Sequence, residues 1–271
     1  MTTRRLDAEL LYRGLVRSRT VAARLIRDGA VRVDGVVVLR PAQPVSAAAA
    51  LDVQDDGWVS RAALKLDAAL TAFDLPVAGR LALDAGASTG GFTQVLLARG
   101  ARRVLAIDVG HGQLDPRIAG DERVIAVEGM NVRFLDSAGL LAATGESGAP
   151  GVVVADLSFI SLRQVLPALA AVAAPTADLV LLVKPQFEVG RPRIGGGVVR
   201  DPGLRRSAVE DVLTDAWRLG LGTAGLIESP IAGESGNREV LVRLSGPSGT
   251  HPTEWATRLT DLTAPTRRRS R

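Results

Sequence analysis

The sequence predicts an α/β protein in which a mainly parallel sheet, covered by helices on both faces, follows a small α+β domain. From residue 80 onward, short apolar runs typical of strands alternate with segments of helical spacing, which indicates βαβ units. The last two predicted strands, near residues 225–228 and 239–244, have no helix between them, so the final strand is expected to be antiparallel. With 46% hydrophobic residues, the chain can bury a core of the size that this architecture needs.

The predicted first domain covers residues 1–54 and combines two helices with a β-hairpin. Apolar residues at helical spacing predict a helix over residues 5–16, and Ser18 and Gly29 are the start and stop signals of a second helix. An Asp-Gly pair between two runs of valine predicts a tight turn that joins two short strands.

This first domain is basic, because residues 1–50 contain nine arginines against four acidic residues. A basic segment beside a mildly acidic remainder indicates that the domain meets a polyanion such as RNA. A solvated arginine face with no role in nucleic-acid binding is the alternative that stays open. The candidate phosphate-contacting residues lie on or beside the second helix: Arg17, Arg19, Arg24 and Arg27.

The rest of the chain is predicted to consist of a polar linker at residues 55–60, a large domain over residues 61–264 and an arginine-rich tail at residues 265–271. A helix that starts after Ser60 and runs through Phe73 opens the large domain. The strands that follow are expected at residues 81–83, 104–107, 124–127, 152–155 and 179–183, and the helices at residues 92–99, 162–172 and 204–219.

Composition excludes several classes of protein. The absence of cysteine excludes disulfide frameworks and thiolate metal sites, and only two histidines are available as imidazole ligands, so no metal is expected. The most apolar stretch, residues 166–183, contains two prolines and an aspartate, so no membrane span is expected. These observations predict a cytoplasmic protein.

Lysine is rare in this chain: of 33 basic residues, only Lys65 and Lys184 are lysine. A guanidinium stays protonated in proteins, whereas a lysine amine can accept a proton or act as a compact point charge. A position that keeps lysine in an arginine-biased chain is therefore a candidate for chemistry that needs an amine. Two surviving lysines are also compatible with chance, and their value depends on an independent motif.

The first predicted strand of the large domain ends in a glycine-rich loop at residues 84–92. Its spacing differs from the G-x-G-x-x-G of dinucleotide-binding loops, and Asp84 would repel a pyrophosphate but could pair with the ammonium of a methionine moiety. Asp108 ends the second strand, where a carboxylate accepts hydrogen bonds from ribose hydroxyls. Together these features favour S-adenosylmethionine over NAD as the cofactor. The candidate cofactor-binding residues are Asp84, Gly86, Ser88, Gly90, Gly91, Asp108 and Asn131, the last as a contact to adenine.

Two resemblances cover essentially the whole chain. Residues 4–54, with their helix–helix–hairpin order and the turn at Asp34-Gly35, resemble the S-four-type RNA-binding domain. Five motifs in the remaining sequence resemble the TlyA family, which combines that domain with an FtsJ-type methyltransferase domain. These motifs lie at residues 58–62, 84–92, 155–161, 184–188 and 235–239.

The resemblance implies a Rossmann-like class I methyltransferase that depends on S-adenosylmethionine and methylates the 2′-hydroxyl of cytidines in 16S and 23S ribosomal RNA. Ribosomal RNA in ribosomal subunits is then the expected partner. FtsJ-type enzymes use a Lys-Asp-Lys-Glu tetrad, which by motif position falls on Lys65, Asp156, Lys184 and Glu239. The two lysines of the tetrad are therefore the only two lysines of the chain.

Two other functions remain as alternatives. Members of the family are also called hemolysins, which raises the alternative of a membrane-active protein. A protein that binds RNA through an inactive methyltransferase scaffold is the second alternative. Within the motifs, Phe159 and Phe187 are interpreted as core residues, with stacking on a base or on adenine as the other interpretation.

Overall fold

The computed structural model describes residues 3–16, 18–54, 57–190, 196–233 and 235–265. The chain forms two compact units, Met1–Arg61 and Ala62–Arg271. The finer division predicted above, with a linker at residues 55–60 and a tail from residue 265, stays a prediction.

The first unit packs two helices against short strands. Ser18 begins the second helix as predicted, since its hydroxyl accepts the backbone N–H of Val21 at 3.2 Å. The first helix is shorter than the predicted segment 5–16, because the chain turns at Gly14, where φ is +70°. The elements are β1 (Thr3–Arg5), α1 (Leu6–Tyr12), α2 (Arg19–Arg27), β2 (Val31–Val33), β3 (Val36–Val37), β4 (Pro44–Ser46) and β5 (Leu51–Val53).

The strands of this unit form two small antiparallel sheets. Strand β1 pairs with β4, and β2 lies between β3 and β5. The predicted hairpin is therefore present as β2 and β3. Buried apolar side chains from both helices and from β2 fill the space between them: Leu6, Leu10, Ala22, Leu25, Ile26 and Val31.

The second unit alternates strands and helices, as the sequence predicts. Its strands are β6 (Leu81–Ala85), β7 (Arg103–Ile107), β8 (Val124–Val127), β9 (Val152–Ala155), β10 (Asp178–Val183), β11 (Gly222–Glu228) and β12 (Val240–Ser245). Its helices are α3 (Ala62–Ala72), α4 (Gly91–Ala98), α5 (Pro116–Ala119), α6 (Ser137–Thr144), α7 (Leu162–Val172), α8 (Pro185–Glu188), α9 (Pro202–Arg218) and α10 (Ala256–Thr263).

The seven strands form one sheet in the order β11-β12-β10-β9-β6-β7-β8. Strands β6 to β10 are mutually parallel, whereas β12 pairs antiparallel with both β10 and β11. The predicted antiparallel last strand is thus confirmed, and its insertion between β10 and β11 is the feature that the sequence did not predict. Strands β6, β9 and β10 are buried along their whole length, as expected for a sheet covered on both faces.

The direction of the strands determines which edge of the sheet carries the functional groups. The carboxyl ends of β6 to β10 lie along one edge, and ligands bind at this edge in open α/β sheets. Since β12 runs the opposite way, its first residue meets the last residue of β10: Val240 pairs with Val183. Within the described part of the chain, no helix is long and apolar enough to cross a bilayer.

Candidate active site

Four charged side chains converge at the carboxyl edge of the sheet. The Lys65 ammonium lies 2.7 Å from Oε2 of Glu239 and 3.7 Å from Oδ2 of Asp156. The Lys184 ammonium lies 2.6 Å from Oδ1 of Asp156. The structure therefore brings the four predicted tetrad residues together, with Asp156 between the two lysines.

The topology explains this convergence. Asp156 directly follows β9 and Lys184 directly follows β10, so both lie at the carboxyl ends of neighbouring parallel strands. Glu239 precedes β12, whose antiparallel direction carries its first residue to the same edge. Lys65 reaches the cluster from helix α3, 174 residues away from Glu239 in sequence.

Burial makes the balance of charge essential. Lys65, Lys184 and Glu239 expose only 6%, 9% and 2% of their surface. An unpaired charge in such a place costs several kcal/mol, on the order of the penalty for one desolvated ion. The attraction between two ammonium groups and two carboxylates offsets much of that penalty. A side chain at Gly233 would overlap Oε1 of Glu239, so the absence of a Cβ there leaves room for this carboxylate.

Two residues next to Asp156 face outward. The Ser158 hydroxyl accepts a hydrogen bond from the Lys184 ammonium at 2.9 Å. Phe159 has a left-handed backbone, with φ at +67°, and 92% of its surface is exposed. The interpretation of Phe159 as a core residue is therefore wrong, because its ring stands in solvent. Its one aromatic neighbour in the described residues is Phe187, with ring centroids 5.5 Å apart.

The predicted glycine loop follows β6. Gly86 and Gly90 both have positive φ, at +87° and +92°. A Cβ on Gly86 would lie 2.7 Å from Leu157, and a Cβ on Gly90 would lie 2.8 Å from Leu114. The positive φ favours glycine at both positions, and a Cβ at either one would also force a leucine side chain to shift. Gly91 is the first residue of α4 and is buried.

Asp84 is fully buried at the end of β6. One carboxylate oxygen accepts the Thr93 hydroxyl at 2.6 Å, and the other, Oδ1, has no hydrogen-bond partner among the described residues. Burial raises the pKa of Asp84 to about 7, and the nearby carboxylate of Asp156 adds to the shift. A buried acceptor without a partner is the group that an incoming ammonium would satisfy.

Asp108 lies at the end of β7, beside a pocket. Its two oxygens accept the backbone N–H groups of Ser88, at 2.8 Å, and of Gly110, at 2.7 Å. These bonds fix the carboxylate against the glycine loop and leave further lone pairs for a ligand hydroxyl. The pocket is lined by Ala87, Ser88, Ala106, Asp108, Gly110, Gln113, Leu114, Ala126, Val127 and Glu128.

Asn131 does not line this pocket. Its side chain caps a short 3₁₀ turn, Val132–Phe134, by accepting the N–H of Arg133 at 3.0 Å. The acidic residue that directly follows β8 is Glu128, and it does line the pocket, with Oε1 accepting the N–H of Gly112 at 2.7 Å. The sequence contained the signal for Glu128, because Asp108 and Asp156 also follow their strands directly. An adenine contact by Asn131 stays a prediction.

The predicted RNA-binding arginines have different environments. Arg17 lies outside the described residues. Arg19 donates to Asp7 at 3.2 Å, and Arg24 lies 3.5 Å from Asp28. Arg27 is exposed and has no ion pair with any residue that the structure describes.

Asp7, the partner of Arg19, is a buried carboxylate. A hydrogen bond from Arg5 is the main cause that lowers the pKa of Asp7 to about 2, so this carboxylate stays ionised at neutral pH. Arg19 is therefore partly neutralised, and Arg27 is the most available of the three for a phosphate. Across the described ranges, no group of three or more His, Asp or Glu side chains could hold a metal ion.

Comparison with known proteins shows the family to which the chain belongs. Residues 58–245 match the FtsJ-like methyltransferase family, and residues 4–50 match the S4 domain. The chain is 52% identical over 244 residues to the 16S/23S rRNA (cytidine-2′-O)-methyltransferase TlyA of Mycobacterium tuberculosis. The matched residues cover 89% of each protein. It is 38% identical to the putative rRNA methyltransferase YqxC of Bacillus subtilis, over 90% of this chain and 86% of that protein.

A similar fold is found among solved structures. A putative hemolysin from Streptococcus thermophilus has a TM-score of 0.75 and 35% identity, over 97% of this chain and 95% of that one. The fold and the two family matches together define a methyltransferase that also contains an S4 domain. This chain belongs to the TlyA family of FtsJ-like methyltransferases, which confirms the family that the sequence motifs indicated.

The close packing of the glycine loop can be tested with two alanine variants. Gly86→Ala is expected to destabilise the large unit by about 2–4 kcal/mol, because it adds an overlap with Leu157 to the strain of a positive φ. Gly112→Ala is the control: its φ is +64° and no atom lies within 4 Å of its Cβ, so only the strain of roughly 1–2 kcal/mol applies. Urea unfolding measures both, and equal losses would contradict the packing argument.

Proposed function

We propose that this protein transfers a methyl group from S-adenosylmethionine to the 2′-hydroxyl of cytidines in 16S and 23S ribosomal RNA. The observation that carries the proposal is the contact of both lysines with Asp156, at 2.6 Å and 3.7 Å, at the ligand-binding edge of the sheet. The name of the M. tuberculosis relative, at 52% identity, supports the choice of substrate.

The residues at the strand ends fit an adenosyl cofactor. The unpartnered oxygen of Asp84 suits the ammonium of the methionine moiety, and the pocket beside Asp108 suits the ribose. The positive φ values of Gly86 and Gly90 let the backbone approach a ligand closely. When bound, the cofactor supplies an electrophilic methyl group on a sulfonium.

The tetrad supplies what a ribose hydroxyl needs. A hydroxyl at neutral pH is a weak nucleophile, and it needs a proton acceptor or a cation that favours the alkoxide. Lys184 can fill either role, because its ammonium form favours an alkoxide and its neutral amine form can accept a proton. Asp156 orients that amine, and Glu239 holds Lys65. Alignment of the two substrates is expected to contribute most of the acceleration, on the order of 7–11 kcal/mol.

The exposed Phe159 suits the base of the target nucleotide. An aromatic ring that stands in solvent next to the catalytic carboxylate offers a stacking surface, and such stacking stabilises a nucleotide by about 1–3 kcal/mol. The S4 domain, with Arg19, Arg24 and Arg27, would hold the surrounding RNA backbone. Since ribosomal subunits carry that RNA, we expect the enzyme to work on subunits in the cytoplasm.

The alternative functions lack an observation of this kind. A membrane-active hemolysin has no need of two buried lysines that share a carboxylate. An inactive scaffold has no need to keep all four charged groups within ion-pair distance. The methyl-transfer experiment below separates these functions, because only an enzyme transfers the label.

Replacing Lys184 by arginine tests the proposed chemistry. Lys184→Arg keeps the positive charge but removes an amine that can accept a proton, so methyl transfer is expected to fall by about 10²–10⁴-fold. Cofactor affinity should stay within about twofold, since Asp84 and Asp108 are untouched. Transfer of tritiated methyl groups to unmodified ribosomal subunits, together with calorimetry of cofactor binding, measures both effects.

Arg218→Lys is the control: it makes the reverse exchange at a position where 70% of the side chain is exposed. It should retain full activity. Normal methyl transfer by Lys184→Arg would remove Lys184 from its role.

The raised pKa of Asp84 predicts that cofactor binding is linked to pH. Below its pKa of about 7 the free carboxyl is protonated, and a bound ammonium favours the carboxylate. Binding at about pH 6 should therefore release close to one proton, and the release should decline toward about pH 8. Calorimetry in buffers of different ionisation enthalpy measures this release. The Asp84→Asn variant should bind the cofactor weakly and without releasing a proton. Proton release equal to that of the wild type would contradict the assignment of the raised pKa to Asp84.

Arg27 is expected to contribute one phosphate contact. Arg27→Gln should weaken binding to ribosomal RNA and reduce the slope of log K against log salt by about 0.7–0.9. Cofactor affinity should not change. Arg218→Gln, at the exposed last residue of helix α9, is the control. An unchanged salt slope in Arg27→Gln would mean that this arginine does not meet the RNA.

A further inference from the structure

The amine of Lys184 has a second fixed partner outside the tetrad. An ammonium carries three N–H donors. The nitrogen lies 2.6 Å from Oδ1 of Asp156 in an ion pair, and one of its N–H groups donates a hydrogen bond to the hydroxyl of Ser158, at 2.9 Å. The ion pair holds the nitrogen near Asp156, and the hydrogen bond to Ser158 restricts the rotation of the ammonium about its stem.

Ser158 can act as a fixed point because the segment that carries it is anchored. This segment, residues 156–161, joins β9 to α7. Its far end is held by Glu188, which accepts the hydroxyl of Ser161 at 2.5 Å and the backbone N–H of Leu162 at 2.8 Å. Glu188 lies on α8, the short helix that begins directly after Lys184. The segment and the lysine are therefore tied to each other at two places.

We propose that Ser158 is a positioning residue: it holds the Lys184 amine so that the remaining position on the nitrogen faces the acceptor 2′-hydroxyl. This inference rests on the proposed function and adds a fifth residue to the tetrad. A lysine needs such help, since its four-carbon stem has many rotamers and its ammonium has no directional plane. Asp156 alone fixes the distance of the amine, and Ser158 fixes its direction.

Ser158 is neutral, whereas Asp156 carries a negative charge, and this difference distinguishes their roles. A neutral hydroxyl leaves the charge of the cluster unchanged when it is removed. The exposed position of Ser158 also means that its loss opens no cavity. A variant without this hydroxyl should therefore fold normally, bind the cofactor normally and fail only in the alignment of the amine.

The experiment compares Ser158→Ala, Ser158→Thr and the wild-type protein in methyl transfer to unmodified ribosomal subunits. Ser158→Ala should lower kcat about tenfold, because an interaction needed in the transition state is lost. KM for the subunits and Kd for S-adenosylmethionine should not change. Ser158→Thr keeps the hydroxyl and should restore kcat to within about twofold of the wild type. Ser137→Ala, a serine on the remote helix α6, is the matched control and should behave as the wild type.

Each result decides the question. Wild-type kcat in Ser158→Ala would overturn the inference while leaving the proposed function intact. Equal loss of kcat in the alanine and threonine variants would mean that the hydroxyl is not what positions the amine, and would also overturn the inference. A wild-type protein that does not methylate subunits would overturn the proposed function, and this inference would fall with it.

Discussion

Two lysine ammonium groups share one carboxylate, Asp156, and the arrangement of the site depends on that sharing. Asp156 lies between Lys65 and Lys184, and Glu239 supplies the second negative charge. Without both carboxylates, two buried positive charges would repel each other and move apart. The antiparallel strand β12 makes the arrangement possible, because its register brings Glu239 to the end of β10. The antiparallel direction of β12 is thus needed to bring Glu239 to the two lysines. The hydrogen bond between Lys184 and Ser158 adds a further contact to the same group of side chains.

Much of the fold was predictable because local patterns agree with it. The apolar runs at β6, β9 and β10 are long enough to identify buried strands, and the cap at Ser18 is a local signal. The three-residue strands β1, β4 and β5 were missed, since an alternating pattern cannot be recognised over so few residues. The position of β12 was missed for a different reason: strand order is decided by pairing between distant parts of the chain.

The candidate site was predictable where composition isolates a residue. Arginine has replaced lysine everywhere except at Lys65 and Lys184, and the structure brings these two residues to one carboxylate. The prediction that Phe159 lies in the core was wrong, because the sequence contains no signal for a left-handed backbone at phenylalanine. The contact of Ser158 with Lys184 and that of Arg19 with Asp7 depend on how separate elements pack, so periodicity could not reveal them. The catalytic and binding roles of these residues stay proposals.

The position of the transferred methyl group tests the account most directly. Purified protein, isotopically labelled S-adenosylmethionine and unmodified ribosomal subunits would be combined, and the RNA would then be digested to nucleosides for mass spectrometry. Since the proposed chemistry makes a sugar hydroxyl reactive, we expect label on the ribose of cytidine alone. Label on a base, or RNA that stays unlabelled although the cofactor is bound, would contradict the claim that Lys65, Asp156, Lys184 and Glu239 activate a 2′-hydroxyl.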